Sequence, residues 1–239
     1  MFGLKGHLGN IAGFLNYRMD VFLVAYFVGA SGVGFYSIAV GIAEMVGMLP
    51  SAVAIVLMRE VASSDGKMGW SYASISCRNI VFLSMLLTLS LLALGSPIIN
   101  LAYGSEFSRS YPAMIALLPA MVALGIDRIL SSYVTGSGRP ILTTYAITIA
   151  TMVNLILNVI LIPLWGITGA AAASSVSYSI SAMIVVRYSL KISNGSLSDV
   201  ILPRLSDIAM YRLMLKNTLL KLRNAGVGDL SSSENTREH

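Results

Sequence analysis

Long apolar stretches separated by short joints dominate the chain. A helix needs about 20 apolar residues to cross a bilayer, and six segments reach that length, at roughly 8–28, 34–58, 80–101, 111–134, 141–164 and 167–188. Gly or Pro stands at every joint, including Pro163-Leu164-Trp165-Gly166 before the sixth segment. Ser63–Lys67 begins a longer polar loop before the third. The pattern predicts an all-α polytopic membrane protein whose residues 1–191 form one bundle of six transmembrane helices.

Basic residues near the segment ends set the expected orientation, because Lys and Arg are enriched in cytoplasmic joints. One side of the predicted membrane collects Lys5, Arg59, Lys67, Arg78, Arg139, Arg187 and Lys191, whereas Arg109 falls on the other. We therefore expect a multi-pass protein of the cell (cytoplasmic or inner) membrane with both termini inside. An even number of spans agrees with that orientation.

The amino-acid composition further limits which classes of protein the chain can belong to. Hydrophobic residues make up 56% of the chain and charged residues 11%, against about a quarter charged in soluble domains. A single Cys excludes an internal disulfide, and with two His it leaves no Cys/His metal site. No basic patch interleaved with aromatics supports nucleic-acid binding. No nucleophile motif or phosphate-cradling glycine loop is present, so neither an enzyme nor a cofactor is expected.

The composition changes after Lys191. Residues 192–223 are predicted to form a basic amphipathic cytoplasmic segment that lies on anionic membrane lipids; a solvated helix is the alternative. The polar, Ser/Glu-rich residues 224–239 are predicted to be disordered.

Charged residues inside the apolar segments are the candidate functional groups. Arg18 and Asp20 lie at the centre of the first segment, where a charge costs at least about 2.5–3.5 kcal/mol. Such groups mark a site or a pathway, unless partners in the bundle hold them to fix helix register. Glu44 is either a proton carrier or a neutral hydrogen-bonding group between helices. Arg128 is expected to reach the membrane interface, whereas the shorter Asp127 is the better cavity candidate.

Two further patterns indicate helix packing. Asn154 and Asn158 are four residues apart in the fifth segment, and such amides usually hydrogen-bond across a helix interface. The sixth segment places a small residue at every fourth position, which predicts close helix contact; these are Gly169, Ala173, Ser177 and Ser181.

Eight short stretches carry a family resemblance. They are Phe14–Leu23, Val33–Ala39, Ile42–Glu44, Leu49-Pro50, Tyr103–Phe107, Gly136–Pro140, Asn154–Asn158 and Ile162–Ala171. Their order and spacing across about residues 5–190 resemble the polysaccharide-biosynthesis, or oligosaccharide (O-antigen unit) flippase, family of the multidrug/oligosaccharidyl-lipid/polysaccharide exporter superfamily. The tail after Lys191 is not covered.

The resemblance implies half of a twelve-helix, two-lobed transporter that flips lipid-diphosphate-linked oligosaccharide, for surface polysaccharide such as lipopolysaccharide, by alternating access through a cationic cavity. The six segments are similar to the second bundle, so we expect a partner six-helix bundle, from a separate chain or a missing N-terminal half. Arg18 is expected to face the cavity and to bind the diphosphate or an acidic sugar, since a guanidinium can bind phosphate in a bidentate way, and the adjacent Tyr17 is a further candidate for substrate binding. Asp20, Glu44 and Asp127 are expected to bind sugar hydroxyls or to couple transport to H⁺ or Na⁺.

Two other functions remain open at this point. The chain could be a lobe of a drug or cation antiporter of the same superfamily, which would favour acidic cavity residues and which Arg18 opposes. It could also be a non-transporting membrane fragment or scaffold, for which the absence of a first bundle is the main support.

Overall fold

A computed structural model describes residues 19–202, and almost all of them are helical. The elements are α1 (residues 19–27), α2 (Ala30–Ser63), α3 (Gly66–Tyr103), a 3₁₀ turn (Ser105–Arg109), α4 (Ser110–Gly136), α5 (Pro140–Ser193) and α6 (Leu197–Ile201). Within this part of the chain, four helical segments are long and apolar enough to cross a membrane. The prediction of a multi-pass helical membrane protein is confirmed. Residues 8–18 of the first segment lie outside the described part, so the count of six spans stays a prediction.

The 54-residue helix α5 is folded back on itself at Gly166. Gly166 has φ 59° and ψ −136°, a backbone conformation that glycine adopts readily and other residues rarely do. The Asn154 Nδ2 atom donates to Ser177 Oγ over 3.1 Å, although 23 residues of straight helix would separate them by about 35 Å. α5 is therefore a hairpin with a first arm (140–165) and a second arm (167–193), and the turn predicted at residues 163–166 is confirmed.

Polar side chains hold the two arms of α5 together. Asn154 Nδ2 also lies 3.4 Å from Ser174 Oγ, and Asn158 Nδ2 donates to Asn154 Oδ1 over 2.8 Å. The small residues predicted to permit close contact are all buried, namely Gly169, Ala173, Ser177 and Ser181. Both packing predictions are confirmed.

Replacing Asn154 with Ala is expected to loosen this hairpin. The change removes the donor to Ser177 and leaves the amide of the fully buried Asn158 without its acceptor. Interhelical hydrogen bonds in membranes contribute about 0.6–2 kcal/mol, so thermal unfolding in detergent should occur at a lower temperature. Thr148→Ala on the exposed face of the same arm is the control, and an equal effect of both changes would contradict the assignment.

The predicted polar loop before the third segment is wrong, because α3 already begins at Gly66. Its first turns carry a buried face at helical spacing, formed by Gly69, Ala73, Cys77 and Ile80. The Trp70 ring packs edge-on against Tyr133 of α4, with ring centroids 5.2 Å apart. The polar residues that resembled a loop belong to an amphipathic beginning of a long helix.

The chain after α5 turns back onto the bundle. Asn194 adopts a left-handed conformation, φ 53°, and ends the hairpin. Arg78 Nη1 donates to the backbone oxygen of Asp199 over 2.6 Å, and Val200 of α6 is fully buried. Of the predicted amphipathic segment 192–223, residues 203–223 lie outside the described part, as does the predicted disordered tail 224–239, so both remain predictions.

The helix joints mark two ends of the bundle. The joints at 28–29, Gly104 and Gly166 form the aromatic end, where Tyr26, Tyr103 and Trp165 are exposed. Such side chains are typical of a membrane–water interface. The joints at 64–65, 137–139 and 194–196 form the basic end, near which five of the orienting basic residues lie: Arg59, Lys67, Arg139, Arg187 and Lys191.

Helix α4 forms the centre of the bundle. It packs extensively against both α2 and α5, whereas α2 and α5 contact each other little. One buried apolar cluster includes Tyr36, Met114 and Ile162 toward the aromatic end, and a second includes Leu57 and Tyr133 toward the basic end. A cleft therefore remains between α2 and α5, with α4 as its floor.

Candidate functional site

The cleft contains a cavity of about 630 Å³ lined by α2, α4, both arms of α5, and Asp20 of α1. Half of its lining residues carry a hydroxyl group: Ser51, Ser131, Ser132, Thr143, Thr144, Thr151, Ser174, Ser177, Tyr178 and Ser181. Asp20, Asp127, Arg128 and Asn154 add charge and an amide, and the remaining lining residues are apolar. A polar chamber thus lies among helices whose outer faces are apolar.

Asp127 connects the floor of the cavity to the second arm of α5. Its Oδ1 atom accepts a hydrogen bond from Ser181 Oγ over 2.8 Å, and Ser131, about one helical turn further along α4, lines the same cavity. Since Ser181 belongs to the small-residue face of the second arm, this face packs close enough to α4 to bring a serine to the carboxylate. The arrangement fixes the carboxylate at the cavity wall.

Asp20 is held from two sides. Oδ2 accepts a hydrogen bond from the hydroxyl of Tyr36 in α2 over 2.5 Å, and Oδ1 accepts one from the backbone N–H of Val21 over 2.9 Å. Tyr36 is fully buried, whereas Asp20 is partly accessible and lines the cavity. The carboxylate therefore has a fixed orientation at the chamber wall.

Arg128 was missed as a site residue by the sequence analysis. Arg128 lines the cavity, and its Nε is buried without a hydrogen-bond partner among the described residues, whereas the expectation that it reaches the membrane interface stays a prediction. A usable signal existed in the sequence: Arg128 lies one helical turn before the hydroxyls of Ser131 and Ser132, which face the same chamber. Arg128 is thus the one arginine among the described lining residues of this cavity.

The predicted site residues fall into three groups. Asp20 and Asp127 are brought together at one cavity. Glu44 is half-buried in α2 and is not among the residues that line this cavity. Tyr17 and Arg18 lie outside the described residues. The predicted role of all five in substrate binding remains a prediction.

A polar stripe on the first arm of α5 was only partly recognised. Thr144, Thr151 and Asn154 line the cavity together with Ile147, at spacings of three and four residues that place them on one helix face. Hydroxyl and amide groups both donate and accept hydrogen bonds. Together with carboxylate acceptors and a guanidinium donor, this wall can bind a polyhydroxylated ligand that carries an anionic group.

Comparison with known proteins gives a consistent picture. A family model described as polysaccharide biosynthesis protein matches residues 1–112. The probable low-salt glycan biosynthesis flippase Agl15 of Haloferax volcanii is 28% identical over 185 residues, which is 76% of this chain and 39% of that protein. An uncharacterized membrane protein of Methanocaldococcus jannaschii is 28% identical over 186 residues, 75% of this chain and 36% of that protein. The chain thus spans less than two fifths of the length of these relatives. No solved structure matches it significantly.

Proposed function

We propose that the chain is a member of the polysaccharide-biosynthesis protein family, whose model matches residues 1–112, and that it forms part of a flippase for lipid-diphosphate-linked oligosaccharide. The Haloferax relative is named as a glycan biosynthesis flippase, which favours a transporter over an enzyme. Membrane translocation in polysaccharide biosynthesis is therefore the activity that these relatives support.

The hydroxyl-rich cavity is the observation that carries this proposal. Ten hydroxyl-bearing residues line a chamber of about 630 Å³ together with two carboxylates and one guanidinium, and such charged groups in a membrane helix are costly. Their retention is explained if the chamber receives a ligand with many hydroxyl groups and a negative charge. The sugar would bond to the serines and threonines, while the lipid tail would stay in the membrane.

Guanidinium groups are the proposed diphosphate ligands. Arg128 lines the cavity, and a guanidinium can bind phosphate oxygens with charge-assisted hydrogen bonds. Arg18 stays the candidate that the sequence analysis identified. In this proposal Asp20 and Asp127 bind sugar hydroxyls or take up the H⁺ or Na⁺ that drives transport.

We further propose alternating access in a cytoplasmic membrane with both termini inside and with anionic lipids near the basic end. Since the relatives are more than twice the length of the matched region, a second six-helix bundle, in the same or a separate chain, would complete the passage. The cleft between α2 and α5 is the surface on which a second wall would close the chamber.

Arg18→Ala in the complete transporter is expected to lower glycan export at least tenfold, because a bidentate guanidinium–phosphate contact is lost. The measurement is surface glycan on intact cells, followed by flipping of a fluorescent lipid-diphosphate oligosaccharide in vesicles. Lys5→Ala, a basic residue at the predicted membrane edge, is the matched control. Normal export from a membrane-inserted Arg18→Ala protein would refute the role of Arg18.

A cation or drug antiporter is the second candidate, and the two carboxylates in the cavity favour it. Arg128 in the same wall opposes it, since a guanidinium repels a cationic ligand. Uptake of a cationic dye driven by a proton gradient, with no flipping of the lipid-linked sugar in the same vesicles, would decide for the antiporter.

A further inference from the structure

Most hydroxyl groups that line the cavity donate their proton to the protein itself. Six of them bond to a backbone carbonyl oxygen three or four positions earlier in the same helix, over 2.7–3.3 Å. They are Ser51, Ser132, Thr143, Thr144, Thr151 and Ser177. Because a carbonyl oxygen can only accept, the hydroxyl group must be the donor in each of these bonds.

Both carboxylates of the cavity accept hydrogen bonds from the protein. The Ser181 hydroxyl donates to Asp127 Oδ1 over 2.8 Å, which uses the proton of a seventh lining hydroxyl group. Asp20 accepts from the Tyr36 hydroxyl at Oδ2 and from the Val21 backbone N–H at Oδ1. Seven of the ten hydroxyl groups that line the described part of the cavity thus donate to a protein acceptor.

The Asn154 amide is also used within the protein. Its Nδ2 donates to Ser177 Oγ over 3.1 Å and lies 3.4 Å from Ser174 Oγ. Its Oδ1 accepts a hydrogen bond from Asn158 Nδ2 over 2.8 Å. The amide therefore adds little donor capacity to the cavity, although Asn154 is one of the lining residues.

The cavity wall consequently offers a ligand mainly hydrogen-bond acceptors. A hydroxyl oxygen carries two lone pairs besides its one proton, and an ionised carboxylate only accepts. The seven hydroxyl groups, Asp20 and Asp127 can therefore receive hydrogen bonds from a ligand while they keep their bonds within the protein. Arg128 is the one described lining side chain that only donates. A ligand group that only accepts would have to draw a proton out of an existing bond or compete for this guanidinium.

We propose that the cavity selects its sugar by hydrogen-bond donors, and that its ligand is an oligosaccharide of neutral or amino sugars with free hydroxyl groups. This inference rests on the proposed function and names the sugar class that the same cavity binds. The hydroxyl and ammonium groups of such sugars donate to the acceptors of the wall. A sugar carboxylate or sulfate only accepts, and it would also bring a negative charge near Asp20 and Asp127, which like-charge repulsion disfavours. The diphosphate is bound differently, because Arg128 is its proposed ligand.

Three lipid-diphosphate trisaccharides test this selection in the complete transporter, reconstituted in vesicles. The first consists of glucose, the second of glucuronic acid, and the third of glucose whose hydroxyl groups are all O-methylated. The third stays neutral but has no donor, so it separates the loss of donors from the repulsion between like charges. The glucose form is expected to bind and flip roughly tenfold better than either of the others, since each lost or redirected hydrogen bond lowers the affinity.

Asp127→Asn is expected to lower the preference for the glucose form over the glucuronic acid form severalfold. Asparagine keeps an oxygen that can accept from Ser181, but it replaces the second carboxylate oxygen by an NH₂ donor and removes the charge. Glu60→Gln is the matched control, since Glu60 is an exposed residue of α2 that does not line the cavity. It should leave the preference unchanged. A ratio of two substrates in one variant is independent of how much protein folds.

The possible outcomes separate the selection from the transport function. Flipping of all three forms at one rate, or faster flipping of the glucuronic acid form, would reject donor selection and keep the transport function. Tighter binding of the glucose form without flipping of any form would keep the selection and reject transport. Absence of binding by all three forms would reject both. An unchanged preference in Asp127→Asn would reject the part of the selection that is assigned to this carboxylate.

Discussion

Gly169→Ala is expected to force apart the two arms of the α5 hairpin. A Cβ placed on Gly169 would lie 2.1 Å from the backbone oxygen of Leu161 and 2.5 Å from its carbonyl carbon. Backbone of a packed helix cannot yield as a flexible side chain can, so the cost should reach about 3 kcal/mol or more. The expected results are a large loss of folded protein from the membrane and a clear fall in the thermal unfolding temperature in detergent.

The same substitution at Gly34 is the control for this prediction. Gly34 also lies inside a long helix, but a Cβ there would meet nothing within 4 Å. Alanine is the better helix former by about 0.5–1 kcal/mol, so Gly34→Ala should leave yield and unfolding temperature unchanged or slightly raised. Equal behaviour of the two variants would show that the hairpin does not depend on close contact at Gly169.

The site residues that the sequence predicts best are those whose placement in a membrane costs free energy. Asp20 and Asp127 were identified because a carboxylate in an apolar segment needs a partner, and both line the cavity. The joint at Gly166 could be predicted because Pro163 and Gly166 interrupt the apolar sequence there. The beginning of α3 was not, because the polar residues of a helix in the interfacial region resemble those of a loop.

The sequence does not indicate which hydroxyl groups lie together in the cavity. In a helix, serine and threonine satisfy themselves on the backbone oxygen of the preceding turn. Ser51 donates to Gly47 O, Ser132 to Arg128 O and Thr151 to Ile147 O, all within their own helices. Each of these hydroxyl groups could therefore face lipid at little cost in free energy. Only the packing of α2, α4 and α5 brings them together in one chamber.

Arg128 was not predicted to line the cavity, and the reason is different. A long side chain near a helix end can reach either the membrane interface or the bundle interior, and local sequence does not distinguish them. The cleft between α2 and α5 determines which surroundings the Arg128 side chain has, and this cleft forms only when the helices pack. A site residue can therefore be predicted from the sequence where a charge in an apolar segment costs free energy by itself. It cannot be predicted where the packing of neighbouring helices determines the surroundings of its side chain.

Arg128→Ala in the complete transporter is expected to slow flipping of lipid-diphosphate oligosaccharide by roughly 10- to 100-fold. Hydrogen bonds to charged groups contribute about 1.5–3 kcal/mol, and each 1.4 kcal/mol corresponds to about tenfold in an equilibrium constant. Arg128→Lys should recover only part of the rate, since lysine keeps the charge but loses the planar fork and its Nε donor. The measurement is the initial flipping rate in vesicles as a function of substrate concentration, normalised to inserted protein.

Arg187→Ala supplies the control, because Arg187 is exposed on the second arm of α5 and does not line the cavity. An arginine that binds the diphosphate and an arginine with only a structural role predict different effects of the substrate headgroup on the flipping defect. If Arg128 binds the phosphates, the defect should shrink when the lipid carries a neutral headgroup in place of the diphosphate, whereas a structural defect would slow both substrates equally. Equal losses for charged and neutral lipids would therefore remove Arg128 from the proposed site, even if transport itself were impaired.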